Sequence, residues 1–161
     1  MIKNKLYQSI IKDPHVKSFW GQEFLRDVLI PHLLGDNTHS ILYWAGKRTA
    51  QKYFYSERFD LIKFFEQTGF GKLRFLKQVS YLREWQLTGP LVQKRLQSNS
   101  KCDFMLEAGF LAGFTERQLN MLAEATINQH SNQSGIIINV RIDPHHKISP
   151  AAPHRNLTII K

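Results

Sequence analysis

Few side chains in this chain are of a type and spacing that could do chemistry. The one thiol, Cys102, stands just ahead of Asp103-Phe104-Met105-Leu106-Glu107-Ala108-Gly109, which reads as the opening of a helix. A thiol beside a helix N-terminus can have a depressed pKa and act as a nucleophile; the plain alternative is a buried, inert cysteine. His145-His146 and His154 offer imidazoles, but no carboxylate or thiolate accompanies them at ligand spacing, so no metal site is expected. His32 and His39 flank a loop. Glu107 sits in an apolar run, where it must line a pocket or close an ion pair, and Lys47 or Arg48 is the expected partner. Tyr43 and Trp44 are adjacent, and ordinary packing is the first expectation for them, with Trp44 covering a dimer surface or a pocket mouth as the alternative. There is no Ser/His/Asp set, no acid/base carboxylate pair, no phosphate-binding glycine loop and no zinc motif, so neither an enzyme nor a cofactor is expected.

The elements that must position these groups begin with Ser40 to Phe54. On a helix, Ile41, Leu42, Ala45, Gly46, Thr49, Ala50 and Tyr53 share one face, while Lys47, Arg48, Gln51 and Lys52 share the other. Ala45, Gly46 and Ala50 leave room for a second helix, which is expected from Asp103 onward, where Gly109 and Gly113 form a matching groove. Asp36, Asn37 and Thr38 are N-cap candidates for the first of these helices. Ahead of it, Gln22 to Leu34 reads as a helix kinked or restarted at Pro31 and stopped at Gly35. Glu57 to Thr68 is a further helix, closed by Gly69-Phe70-Gly71.

Lys72 to Val79 and Tyr81 to Thr88 have strand composition, Leu91 to Leu96 is open between strand and helix, and 97–101 is a polar loop. Leu122 to Gln129 reads as a strand, His130 to Ser134 as a turn, and Gly135 to Ile142 as a strand with Ile136, Ile138, Val140 and Ile142 on one side. The organisation expected is a lead-in at 1–20 with a short helical attempt before Asp13-Pro14, one domain at 21–143, and an irregular tail at 144–161. Helices and antiparallel hairpins in this order predict an α+β domain, with helices packed on a twisted antiparallel sheet.

Composition narrows the partners. With 22 Lys and Arg against 13 Asp and Glu the net charge is +9, but the cations are dispersed, so nucleic-acid binding is the weaker reading. One cysteine excludes an internal disulfide and suits the cytoplasm, and no apolar run has the length of a signal core or membrane span.

Leu33-Leu34-Gly35, Ile41-Leu42-Tyr43-Trp44-Ala45-Gly46-Lys47, Gly69-Phe70-Gly71, Leu87-Thr88-Gly89-Pro90 and Leu106-Glu107-Ala108-Gly109-Phe110-Leu111-Ala112 resemble the YslB-like family, small proteins of unknown function from Gram-positive bacteria. More distantly, Tyr-x-Ala-Gly on a helix, Cys102 ahead of Ala-Gly-Phe-Leu-Ala-Gly and a closing hairpin are similar to vinyl-reductase-type ligand-binding domains, which share a fold with nitric-oxide-sensing haem domains and Golgi transport-particle subunits. The resemblance implies helices on a sheet that can enclose an apolar pocket, often in a dimer. Haem is not implied, because the Tyr-x-Ser-x-Arg signature of the haem-binding members meets Phe54-Tyr55-Ser56-Glu57-Arg58 here. The further cysteines that ligand-binding relatives often keep near the final hairpin are absent as well, which argues against a cysteine-based metal site.

The function expected is therefore a cytoplasmic, non-enzymatic homodimer. It would bind a small apolar ligand at Leu42, Ala45, Gly46, Gly109 and Phe110, with Tyr43 and Trp44 at an interface. The alternatives are a dimeric assembly module without ligand, and a basic nucleic-acid-binding protein.

Overall fold

The computed structural model describes residues 20–52, 58–98, 102–129 and 135–149. The helical attempt before Asp13-Pro14, Tyr53 to Glu57, the 99–101 part of the polar loop, the turn at 130–134 and the tail from Pro150, with His154, lie outside them.

The chain enters through α1 (Trp20–Phe24), a π turn (Leu25–Leu29) and α2 (Ile30–Leu34), which follow one another without leaving the right-handed helical region. Proline cannot donate to the carbonyl four residues back and crowds it. Pro31 falls in the first turn of α2, directly after the π turn, so the helix restarts there. Gly35 ends it at φ 57°, and Thr38 Oγ1 donates to Gly35 O at 2.6 Å across a 3-10 turn, Gly35–Asn37. Next come α3 (Thr38–Lys52), α4 (Arg58–Gln67), β1 (Lys72–Val79), β2 (Leu82–Thr88), α5 (Pro90–Ser98), α6 (Met105–Leu119), β3 (Met121–Gln129) and β4 (Gly135–Lys147).

The four strands form one antiparallel sheet in the order β1-β2-β4-β3. Trp85 pairs with Ile138, Leu87 with Ile136, and Ala125 with Val140, so these residues share the face on which the helices lie. Trp85, Leu87, Ile136, Ile138 and Val140 are completely buried there, against Leu61 and Phe65 of α4 and Leu111 of α6. Leu91 to Leu96 resolves as helix. Pro90 suits a first helical position, and Leu91, Val92 and Arg95 turn inward at helical spacing. β4 does not stop at Asp143-Pro144 as expected but continues to Lys147, opposite Met121.

Among the described residues the most buried helix is α6, where every residue from Glu107 to Glu116 is inside. One expectation about the helix pair needs correction, because the inward face of α3 is turned from the expected one: Leu42, Tyr43, Gly46, Lys47 and Ala50 are buried, whereas Ile41, Ala45 and Thr49 are exposed. The cause is the line of closest approach. A Cβ at Gly109 would lie 1.9 Å from Tyr43 O, one at Gly46 2.1 Å from Leu106 O, and one at Gly113 2.3 Å from Lys47 O. Backbone meets backbone along this seam, so the 43–46–47–50 line faces α6 and carries Lys47 inside with it.

Gly109→Ala is therefore expected to destabilise the fold by at least about 3 kcal/mol, because neither backbone can yield. Gly21→Ala, in an exposed helical turn with nothing within 4 Å, should gain about 1 kcal/mol. Urea titration of both variants checks the pair.

Candidate functional site

β3 lies at the edge of the sheet, where every second residue leaves its N–H and C=O unpaired by a neighbouring strand. Side chains from α3 and α6 supply the missing partners. Lys47 Nζ donates to Ala123 O at 2.9 Å, Ala123 N–H donates to Glu116 Oε1 at 3.1 Å, and Ala125 N–H donates to the Tyr43 hydroxyl at 2.9 Å. The same ammonium lies 2.9 Å from Glu116 Oε1 and 2.6 Å from Glu124 Oε1, and the Tyr43 hydroxyl donates to Glu124 Oε2. Gln51 Nε2 completes Glu116 at 2.5 Å. Burial, reinforced by the bond to Glu124, raises the Tyr43 phenol above its ordinary pKa, so it stays a neutral donor.

Above this network opens a groove of about 320 Å³, lined by Trp44, Arg48, Gln51, Leu122, Glu124 and Ile148 among others. Trp44 is 55% exposed, and Lys47 Nζ sits 5.2 Å from its ring centroid. A second hollow of about 410 Å³ continues past Leu122 and Glu124 to Arg141, Ile142 and Pro144. This arrangement can bind, but it holds no activated nucleophile.

The expected site residues separate. Gly46 and Gly109 meet at the helix seam and Leu42 is buried, but Ala45 is exposed on the outer side of α3. Phe110 stacks on Phe64 at 4.9 Å and meets Phe65 edge-on at 5.9 Å. The junction expected to hold a ligand is filled by backbone and aromatic rings. Tyr43 lies in the core, so of the two interface aromatics only Trp44 presents surface. Cys102 is buried, and burial pushes its thiol up to about 11, the opposite of an activated nucleophile. Glu107 pairs with Arg26 and not with Lys47 or Arg48, because Lys47 is taken by Glu116 and Glu124. His145 and His146 are exposed, His32 is exposed, and His39 Nδ1 lies 3.0 Å from Asp103 Oδ2. Among the described residues no three His, Cys, Asp or Glu side chains are placed to hold a metal ion.

Sequence reasoning missed Glu116, Glu124 and Lys47 as one network. Their positions follow from which strand ends up at the edge, and no local spacing carries that.

Lys47→Met should cost about 3 kcal/mol or more, because it leaves the buried Glu116 carboxyl without its cation, while Arg48→Met on the exposed side should stay within about 0.5 kcal/mol. Thermal melts of the two variants make the comparison.

Comparison with known proteins bears on the architecture. An uncharacterised protein of Bacillus subtilis, YslB, is 28% identical over 144 residues, covering 88% of this chain and 97% of that protein. A vinyl-4-reductase family protein from Methanocaldococcus jannaschii matches with a TM-score of 0.56 at 17% identity, over 88% of this chain and 98% of that one. The phenol-responsive sensory domain of the transcription activator PoxR, solved with phenol, matches with a TM-score of 0.54 at 11% identity, over 75% and 73% of the two chains. A trafficking protein particle complex subunit 3 from Naegleria fowleri, covalently bound to palmitic acid, gives 0.48 at 13% identity, over 76% and 93%. At these identities the first two solved structures bear on the fold alone. The family model described as DUF2507, protein of unknown function, matches residues 19–141, and the chain belongs to that family.

Proposed function

We propose that this chain is a non-enzymatic binding domain of the cytoplasm that works as a homodimer, joined through the outer face of the 20–34 segment. The observation that supports this is an inverted helix. Glu23, Arg26 and Asp27 turn towards the body of the domain, while Phe24, Leu25, Leu29 and Leu33 turn away from it. Leu25 is 52% and Leu33 69% exposed, four-residue steps line up the three leucines, and Ile41 and Trp44 on α3 add two more exposed apolar groups.

A second copy fits this face better than a partner of opposite charge. The outward positions Gly21, Phe24, Leu25, Val28, Leu29, His32 and Leu33 include no Lys, Arg, Asp or Glu on a protein of net charge +9. Two copies meeting here bring together a stripe without like charges of its own, and a stripe of this kind is self-complementary about a two-fold axis. A stable interface takes roughly 800 Å² per partner, a little over half of it apolar. Phe24, Leu25, Leu29 and Leu33 supply part of that apolar area.

Binding of a small apolar molecule is a second reading, favoured by the groove beside Trp44 and not by the closed helix seam. The likeness in fold to a sensory domain solved with phenol is compatible with it.

Light scattering after gel filtration tests the first reading. The wild type should elute at twice 18.8 kDa and the Leu29→Glu/Leu33→Glu variant at the single mass with an unchanged circular dichroism spectrum; a monomeric wild type overturns it. Native mass spectrometry followed by denaturation tests the second, and a stoichiometric released molecule that Trp44→Ala no longer retains is the expected result.

A further inference from the structure

The inward side of the 20–34 segment ends in a closed group of charges. Arg95 of α5, 2% exposed, stacks on Phe104 at 4.3 Å and grips Asp27 with Nε at 3.0 Å and Nη2 at 2.8 Å. Nη2 also donates to Asp103 O at 2.7 Å. Arg26 pairs with Glu107 of α6 and donates to Asp103 O at 3.2 Å. Glu23 is the carboxyl with one oxygen that no hydrogen bond reaches. Its Oε2 lies 2.9 Å from Arg95 Nε, but that nitrogen carries one hydrogen and directs it to Asp27, so Oε2 accepts no hydrogen bond. Glu107 Oε1, 3.9 Å from Arg95 Nη1, accepts none either.

Three carboxyls thus face two guanidiniums, and none of the five side chains is more than 11% exposed. With every group ionised the cluster carries one uncompensated negative charge in the interior. Two further groups border it. Asp103 turns its carboxylate outward to His39 and to Met105 N–H, and the Cys102 thiol stays protonated.

We propose that this cluster is a proton-operated latch: Glu23 holds a proton against Asp27, and losing it loosens the 20–34 segment from the rest of the domain. The latch stands whether or not the outer face of that segment joins two copies. Burial raises the Glu23 carboxyl to about 7; Arg95 and Arg26 oppose the shift, while Asp27 adds to it by its charge and by a hydrogen bond. The closed segment therefore binds a proton that the open one, with a carboxyl near 4.5, releases. Opening increases with pH between those two values, by up to about tenfold per unit, and levels off above the upper one.

Cys102 is the chain's one cysteine, it is buried, and the charges of Arg95, Asp27 and Arg26 act on its thiol, so its labelling reports on this region. Labelling with 4,4′-dithiodipyridine, divided by the rate for urea-unfolded protein at the same pH, should accelerate about tenfold or more from about pH 5.5 to 8 in the wild type. Glu23→Gln, which keeps the shape and removes the charge, should change less than twofold over that range. A flat wild-type profile, or parallel profiles for the two proteins, overturns the latch. Hydrogen exchange of the wild type, corrected for intrinsic rates, provides a measurement that needs no variant. Amides of 20–34 should lose protection over the same pH range while those of α6 and β4 keep theirs, and equal loss in all three overturns it.

Discussion

Everything in this domain is set from the seam where α3 and α6 touch backbone to backbone. Tyr43 O, Leu106 O and Lys47 O sit where the side chains of Gly109, Gly46 and Gly113 would otherwise be. At that distance there is no freedom to rotate one helix against the other. The seam decides which α3 side chains turn inward, and it brings Tyr43 and Lys47 to the margin of the sheet. It also leaves no room between the helices for a guest molecule.

Charge is the second organising feature. Two buried groups of opposite-signed side chains hold the helices to the rest of the chain. Lys47 with Glu116 and Glu124 joins α3, α6 and β3, while Arg95 and Arg26 with Glu23, Asp27 and Glu107 join α1, α5 and α6. Such groups specify geometry more than they add stability, since each ion loses its hydration. The consequence is visible on the first helices, where polar residues face in and leucines face out.

Much of the architecture was legible in the chain itself. The alternation Ile136, Ile138, Val140, Ile142 marked a half-buried strand, and Gly-Phe-Gly and Gly-Pro marked the ends of elements, because strand period and turn chemistry are local properties. The small-residue faces at Gly46 and Gly109 were legible as a helix contact, and they are one. What they could not convey was how close that contact is, and closeness separates a packed seam from a pocket. Lys47 was set on the face opposite the apolar one by its type, yet a long stem that ends at an unpaired carbonyl is stable inside. Glu107 was correctly marked as an anomaly in an apolar run, but its partner Arg26 lies 81 residues away, beyond any local pattern.

The two margins of the sheet are finished by different means. β1 carries an irregularity between Phe75 and Lys77 and bears Lys72, Arg74 and Lys77, features that discourage pairing with another chain. β3 has Ala123 and Ala125 where such charges would stand, and its protection is borrowed mostly from the side chains of α3, with Glu116 of α6 beside them. A molecule in which α3 has lifted away offers one adhesive strand and one repellent strand. Two such molecules can join strand to strand into a continuous sheet of eight, but both outer borders are then of the repellent kind and growth ends. Damage to α3 therefore leads towards a terminated misassembled pair and away from an open-ended fibre.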